Sequence, residues 1–380
     1  MSFNNLGLSP ELITALEDLK YKDPYPIQQE AIPVILTGKD VLGIAQTGSG
    51  KTAAFVLPIL ERIRKQSGSK NRHIRVLVLV PTRELAVQTA NVFQTVVARL
   101  GGHLKTLAVY GGVSANPQMI QLQHVEILVA TPGRLLELVS LKAVHLSDVE
   151  ILVLDEADKM LHLGFQNEMN QLFALLPAKR QNLLFSATLG MDVSAVAGLL
   201  LQDPIRIEVK SETPSLELIN QSAYAVTPER KGPLLRYLIR DKDMQQVLVF
   251  TSSVHKAESV VSKLRGNGIS AETLHGQKTQ GGRTEALRQF KAGQLRVLVA
   301  TDLASRGIDI PFLPFVINYE LPRSPKDYIH RIGRTGRAES PGSAISLVTP
   351  EEEHHFKVIQ KKMGKLIPLQ HSLELNLQGC

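Results

Sequence analysis

Short uninterrupted apolar runs recur along the chain, separated by longer stretches with helical spacing. Val76-Leu77-Val78-Leu79-Val80, Ile127-Leu128-Val129-Ala130 and Ile151-Leu152-Val153-Leu154 are too short for helices. They are apolar on both faces, as strands inside a covered parallel sheet must be. Between them lie amphipathic stretches such as residues 84–100. This alternation predicts an α/β fold with right-handed crossovers. The pattern then restarts at Val247-Leu248-Val249-Phe250, Val297-Leu298-Val299-Ala300 and Ala344-Ile345-Ser346-Leu347-Val348. Between the two sets, residues 210–217 are polar and turn-rich and read as a linker. The predicted domains are therefore residues 1–209 and 218–380, and 380 residues suit two cores of roughly 150–200 each. From about Gln370 the periodicity fades, and the end is expected to be loosely held.

Composition changes this picture little. Apolar content of 43% and charged content of 21% are ordinary for a globular chain. No run of about 18 apolar residues predicts a membrane span, and the first residues lack the charge and apolar core of a secretory signal. The single cysteine, Cys380, can form no internal disulfide, which suits a reducing, cytoplasmic setting. No Cys/His cluster has metal-ligand spacing. A net charge of +7 suits a polyanion partner without identifying one.

Three segments carry candidate chemistry. Residues 41–45 read as a strand and 51–65 as a helix. The turn joining them is Ala45-Gln46-Thr47-Gly48-Ser49-Gly50-Lys51-Thr52. It gathers backbone N–H groups at a helix N-terminus, a cradle for phosphate oxygens. Lys51 would set a point charge on the β- and γ-phosphates, and Thr52 a hydroxyl on Mg²⁺. Ala45 stands where the usual pattern opens with glycine. The run 151–154 leads straight into Asp155-Glu156-Ala157-Asp158. Carboxylates at the C-terminal end of a parallel strand sit where open α/β sheets bind ligands. Asp155 suits Mg²⁺, directly or through water. Glu156 is placed to orient the attacking water and accept its proton. Alone, such a quartet would read as a solvated helix start; beside a phosphate loop it reads as the rest of an ATP site.

The third segment, His330-Arg331-Ile332-Gly333-Arg334-Thr335-Gly336-Arg337, lies near the other end. Gly333 and Gly336 favour a shaped loop over a helical basic face. Guanidinium is planar, permanently charged and bidentate, which suits a triphosphate. Arg334 and Arg337 are the candidate fingers. If they serve the nucleotide held at 45–52, the site is split between two domains and closing it is a movement.

With these residues the chain resembles the DEAD-box ATP-dependent RNA helicases of superfamily 2 over nearly its whole length. The family name is spelled at residues 155–158. The resemblance implies two tandem RecA-like domains, each a mostly parallel sheet covered by helices on both faces. It implies that Gln28, in Pro26-Ile27-Gln28, hydrogen-bonds the adenine edge, that Tyr21 stacks on the ring, and that Phe3 is the upstream aromatic. Ser186-Ala187-Thr188 resembles the motif that couples the acidic turn to the second domain; Asp158 and His330 take part in that coupling. Arg83 in Pro81-Thr82-Arg83-Glu84-Leu85-Ala86, the pair Gly111-Gly112, and Thr131 and Arg134 in Thr131-Pro132-Gly133-Arg134 look like the first domain's RNA-backbone contacts. Gln280 and Arg283, after His275-Gly276, and Thr301, before Asp302, look like those of the second. Ser305-Arg306-Gly307-Ile308-Asp309 looks like the motif reaching RNA and the ATP ribose, with Gly307 and Asp309 toward the nucleotide; alanine is more usual than Ser305. The compact two-domain build looks like the bacterial RhlE-like branch.

Expected ligands are thus ATP with Mg²⁺, and RNA. Hydroxyls, exposed backbone N–H groups and guanidiniums position a strand without reading its sequence, and contact to the 2′-OH tells RNA from DNA. Aromatic content of 5%, without tryptophan, argues against extensive base stacking. RNA-processing or ribosome-assembly proteins are candidate partners. A DNA translocase is disfavoured by the Gln28 motif and the acidic spelling. A metabolic kinase leaves the second domain unexplained. An RNA clamp without net unwinding would use the same core.

Overall fold

The computed structural model describes residues 2–46, 48–64, 71–101, 103–209, 219–302, 313–335 and 342–377. The chain divides into two compact units, Met1–Ser211 and Glu212–Cys380. The linker expected at 210–217 lies outside the described residues.

The first unit holds strands β1 (Val41–Ile44), β2 (Val76–Leu79), β3 (Thr106–Val109), β4 (Ile127–Ala130), β5 (Ile151–Leu154), β6 (Gln181–Ser186) and β7 (Ile205–Glu208). They form one parallel sheet in the order β3-β4-β2-β5-β6-β1-β7. The second unit holds β8 (Ile219–Ala225), β9 (Val247–Thr251), β10 (Ala271–Leu274), β11 (Val297–Thr301), β12 (Phe315–Asn318), β13 (Gly342–Val348) and β14 (Leu369–His371). Its order is β10-β11-β9-β12-β13-β8-β14, again parallel. Renumbered from its own first strand, this is the order of the first sheet. The chain is one α/β topology used twice.

Alternation along each strand explains why the runs are apolar throughout. Val76 and Val78 face a core containing Phe55 and Phe93, whereas Leu77 and Leu79 face another containing Met160 and Leu172. Burying both faces requires helices on both sides. Several helices start where a hydroxyl meets a free backbone N–H. Thr82 Oγ1 accepts from Leu85 N at 3.3 Å to open the helix Arg83–Leu100. Ser253 and Ser324 open the helices Val254–Arg265 and Pro325–Ile332 in the same way.

Residues 369–377 depart from the expected loose tail. β14 pairs in register with β8, Arg230 Nη2 donates to Ser372 O at 2.9 Å, and Leu375 and Leu377 pack on the core. A three-residue edge strand is too short to show a period, and its partner lies far away in sequence. No helix among the described residues is long and apolar enough to cross a membrane.

Candidate functional site

The candidate residues of the first unit gather at the C-terminal ends of its strands, and the strand order sorts them. Ala45 follows β1, Asp155 follows β5 and Ser186 ends β6; these three strands are adjacent. Thr82, Tyr110 and Thr131 lie just beyond β2, β3 and β4, also adjacent. The phosphate chemistry therefore occupies one half of the sheet edge, and the proposed RNA contacts the other.

The phosphate loop folds on itself. Ala45 N donates to Ser186 O at 3.0 Å, tying the loop to β6. Ser49 Oγ donates to Gln46 O at 2.7 Å. Gly48 has φ +84° and Gly50 φ +87°. A Cβ on Gly50 would lie 2.5 Å from Gln28 Nε2 and 2.8 Å from Tyr25 Cδ2, so only glycine fits there. Lys51 and Thr52 open the helix Lys51–Ile63. Lys51 is buried and donates from Nζ to Ala45 O at 2.6 Å. Its ammonium thus sits across the mouth of the loop. Gln28 accepts from Tyr25 N at 3.0 Å and donates to Gly50 O at 3.0 Å. The amide assigned to the adenine edge is also a strut of the phosphate loop. Tyr21 is partly buried, and Phe3, 4% exposed, meets it edge-on at 6.2 Å. Phe3 therefore supports the Tyr21 ring from within the core. Tyr25, 50% exposed beside Gly50, is a residue the sequence reading passed over. Thr47 lies outside the described residues.

The acidic turn is buried. Asp155 is 2% and Glu156 4% exposed. Burial pushes the Asp155 carboxyl up to about 6 against the pull of Lys51, and the Glu156 charge adds to the rise. Burial likewise lowers Lys51, opposed by Asp155 and Glu156. Asp155 Oδ1 is buried without a hydrogen-bond partner among the described residues. A desolvated carboxylate with an open oxygen, within electrostatic reach of Lys51, fits a hard cation that brings charge and water. Glu156 has left-handed backbone, φ 55° and ψ 47°, and its Oε1 lies 2.7 Å from Lys159 Nζ. Asp158 Oδ2 accepts from Thr188 Oγ1 at 3.1 Å, and Ser186 Oγ donates to Thr188 O at 2.7 Å. The acidic turn and the Ser186–Thr188 segment are thereby one hydrogen-bonded piece.

On the other half of the edge, Gly112 has φ +74°, and a Cβ there would meet the Arg83 guanidinium. Arg134, expected to offer its guanidinium to RNA, is 6% exposed and donates from Nη2 to Val113 O at 2.6 Å. It holds the Gly111-Gly112 loop from behind. Thr131, 8% exposed, precedes the helix Pro132–Ser140.

In the second unit, Gln280 and Arg283 start the helix Gln280–Lys291 beyond β10, and Thr301 ends β11. These strands correspond to β3 and β4, so both units carry their RNA candidates on the same half of the repeated sheet. Arg283 is 8% exposed. β12 corresponds to β5, and the helix after it carries His330 and Arg331. The strand that ends in acid in one unit thus leads to base in the other. The arginine run is not a loop from its start: His330 to Ile332 complete the helix, and Gly333 ends it. His330 is exposed and Arg334 partly exposed. Arg331, absent from the candidates, is firmly held. It is 3% exposed and reaches Asp302 from Nε at 2.6 Å and Nη2 at 2.8 Å, and Nη1 donates to Asn318 Oδ1 and Glu320 O. Its guanidinium also covers the Phe250 ring at 4.9 Å. Arg331 joins the end of β11 to the arginine helix. Arg331→Met should destabilise the second unit by about 3 kcal/mol, the low end for breaking a buried pair because Asp302 keeps some solvent; urea unfolding measures it. Gly307, Asp309 and Arg337 lie outside the described residues.

A phosphate loop after β1 and an acidic turn after β5, with only β6 between them, followed by a second sheet of identical order, define a nucleoside triphosphatase with tandem RecA-like domains. The DEAD/DEAH box helicase model matches residues 25–196, and the helicase conserved C-terminal domain model residues 230–339. The chain belongs to the DEAD-box helicase family. It is 38% identical to ATP-dependent RNA helicase DDX47 of Drosophila melanogaster, covering 97% of this chain and 72% of that protein. It is 39% identical to ATP-dependent rRNA helicase rrp3 of Emericella nidulans, covering 97% and 78%. ATP-dependent RNA helicase CshA of Limosilactobacillus reuteri is 38% identical, covering 97% and 74%. Among solved structures, S. cerevisiae Dbp5 bound to RNA and ADP BeF3 matches with a TM-score of 0.83 at 30% identity, covering 97% of this chain and 95% of that one.

Proposed function

We infer that this chain is an ATP-dependent RNA helicase that grips RNA by its sugar–phosphate backbone and locally separates short duplexes. The observation that carries this reading is the sorted sheet edge, with phosphate chemistry beyond β5-β6-β1 and backbone-type contacts beyond β3-β4-β2 and again beyond β10-β11. Curated ATP-dependent RNA helicases at 38–39% identity, and a Dbp5 structure bound to RNA and ADP BeF3, support it.

In this reading the backbone from Gly48 to Thr52 cradles the phosphates, and Lys51 leaves Ala45 O for them. Thr52 and Asp155 hold Mg²⁺, which when bound would neutralise phosphate charge. Glu156 orients the attacking water and takes its proton. Arg334 and Arg337 stabilise the charge on the transferred group from the second unit, and Gly307 and Asp309 face the ribose. Arg83, Gly111, Gly112, Thr131, Gln280, Arg283 and Thr301 form the RNA surface, and Arg134 supports it from behind the Gly111-Gly112 loop. Asp158, Ser186, Thr188 and His330 link hydrolysis to RNA grip. Since both ligands use both units, each raises affinity for the other by the same factor.

The proposal includes a cytoplasmic setting and the compact RhlE-like branch. Bacterial and eukaryotic relatives match at the same 38% identity. The name of the Emericella relative suggests ribosomal RNA as a substrate and ribosome-assembly factors as partners. The test is ATP hydrolysis with single-stranded RNA, single-stranded DNA or neither. RNA should raise the rate severalfold and DNA should not; equal stimulation by DNA overturns RNA specificity. Displacement of a short RNA duplex with ATP separates the helicase from a clamp, which would hold RNA without releasing a strand.

A further inference from the structure

The helix Ala115–Gln121 buries a single residue, and that residue is an amide. Gln118 is 8% exposed, while Ile120 on the same helix is 70% exposed. An apolar side chain at 118 would add to the core, so the burial of a glutamine asks for another reason.

The reason lies in what it holds. Among the described residues β3 is the edge strand of its sheet and pairs only with β4. Val109 O accepts from Thr131 N at 3.1 Å, so Val109 faces β4 and the backbone of Tyr110, next along, faces away from the sheet. Tyr110 N donates to Gln118 Oε1 at 3.1 Å, and Gln118 Nε2 donates to Tyr110 O at 3.1 Å. A carboxamide carries one acceptor and a donor pair side by side, so Gln118 replaces the missing neighbour strand at this one position. Tyr110 is the residue immediately before Gly111-Gly112. Beyond the pair, Arg134 Nη2 clamps Val113 O at 2.6 Å. The two glycines are therefore suspended between two buried side chains.

We propose that Gln118 is a positioning residue for RNA binding: it fixes the start of the Gly111-Gly112 loop so that its backbone meets the RNA backbone without first paying for ordering. It makes no contact with RNA itself. This rests on the reading of Gly111 and Gly112 as RNA contacts.

The test compares Gln118→Leu, which removes both hydrogen bonds at similar size, with Gln118→Glu, which still accepts from Tyr110 N but sets an oxygen against Tyr110 O. The readouts are the concentration of single-stranded oligouridine giving half-maximal ATPase stimulation and the KM for ATP at saturating RNA. Gln118→Leu should raise the RNA midpoint about tenfold, the scale of two lost neutral hydrogen bonds. The KM for ATP should stay within about a factor of two, and Gln118→Glu should fall between. An unmoved RNA midpoint in either variant overturns the proposal. So does an equal rise in both constants, which would mark a general structural role. If Gln118→Leu does not fold, Gln118→Glu decides alone. Gly112→Ala is the control for the underlying reading, because at φ +74° a side chain strains the loop backbone itself. A normal RNA midpoint in Gly112→Ala removes the loop from RNA binding; a raised one beside normal Gln118 variants sinks the role of Gln118 alone.

Discussion

Glu156→Gln should bind ATP and RNA yet turn over roughly 10²–10⁴-fold more slowly, the range of a positioned general base. Glutamine keeps the size and one accepting oxygen of the side chain but takes no proton. The position tolerates little else. Glu156 is 4% exposed and sits in left-handed backbone, a conformation costing about 1–3 kcal/mol for a residue with a side chain. The turn is held there because Lys159 N and Met160 N both donate to Glu156 O, at 2.9 and 3.1 Å. That backbone aims the carboxylate while Lys159 anchors one of its oxygens at 2.7 Å. The measurement is single-turnover hydrolysis beside RNA binding with ATP present. Normal RNA-stimulated turnover would remove Glu156 from the chemistry.

Arg334→Ala should lower turnover by roughly 10³–10⁵, the scale of an arginine finger in GTPases, while ADP still binds. A finger acts on the γ-phosphate, so the diphosphate should not register its loss. The structure supports a presented rather than a buried role. Arg334 is partly exposed just past Gly333, where the helix Pro325–Ile332 ends. Its backbone is pinned, for Leu313 N donates to Arg334 O at 3.1 Å and Thr335 Oγ1 donates to Leu313 O. Arg334→Lys should restore little, since an ammonium lacks the planar bidentate fork. Steady-state kcat and ADP titration check the pair; a large loss of ADP affinity would mark Arg334 as structural.

These two variants concern residues legible in the chain. Other parts were hidden, for particular reasons. Arg134 and Arg283 read as RNA contacts from residue type, which says nothing of burial; the fold buries both, and Arg134 spends a donor on Val113 O. Arg331 stood in the arginine run with no mark of its own, since its partners Asp302 and Asn318 lie 29 and 13 residues away. Gln118 is one glutamine on a short helix until Tyr110 is seen beside it. Three-residue β14 was too brief to show a pattern, yet residues 369–371 pair with β8.

By itself the sequence determined the α/β class, the restart of the strand pattern, the phosphate loop and the acidic turn. Each is a local statement: a buried strand needs consecutive apolar residues, and a phosphate cradle needs glycines beside a lysine and a hydroxyl. Which strands lie side by side emerges with the assembled sheet. That order places Ala45, Asp155 and Ser186 together, sorts RNA candidates to the other half of the edge, and repeats in the second unit. Strand order arises from crossovers and from both faces of the sheet finding cover, a property of the whole domain that no short segment records.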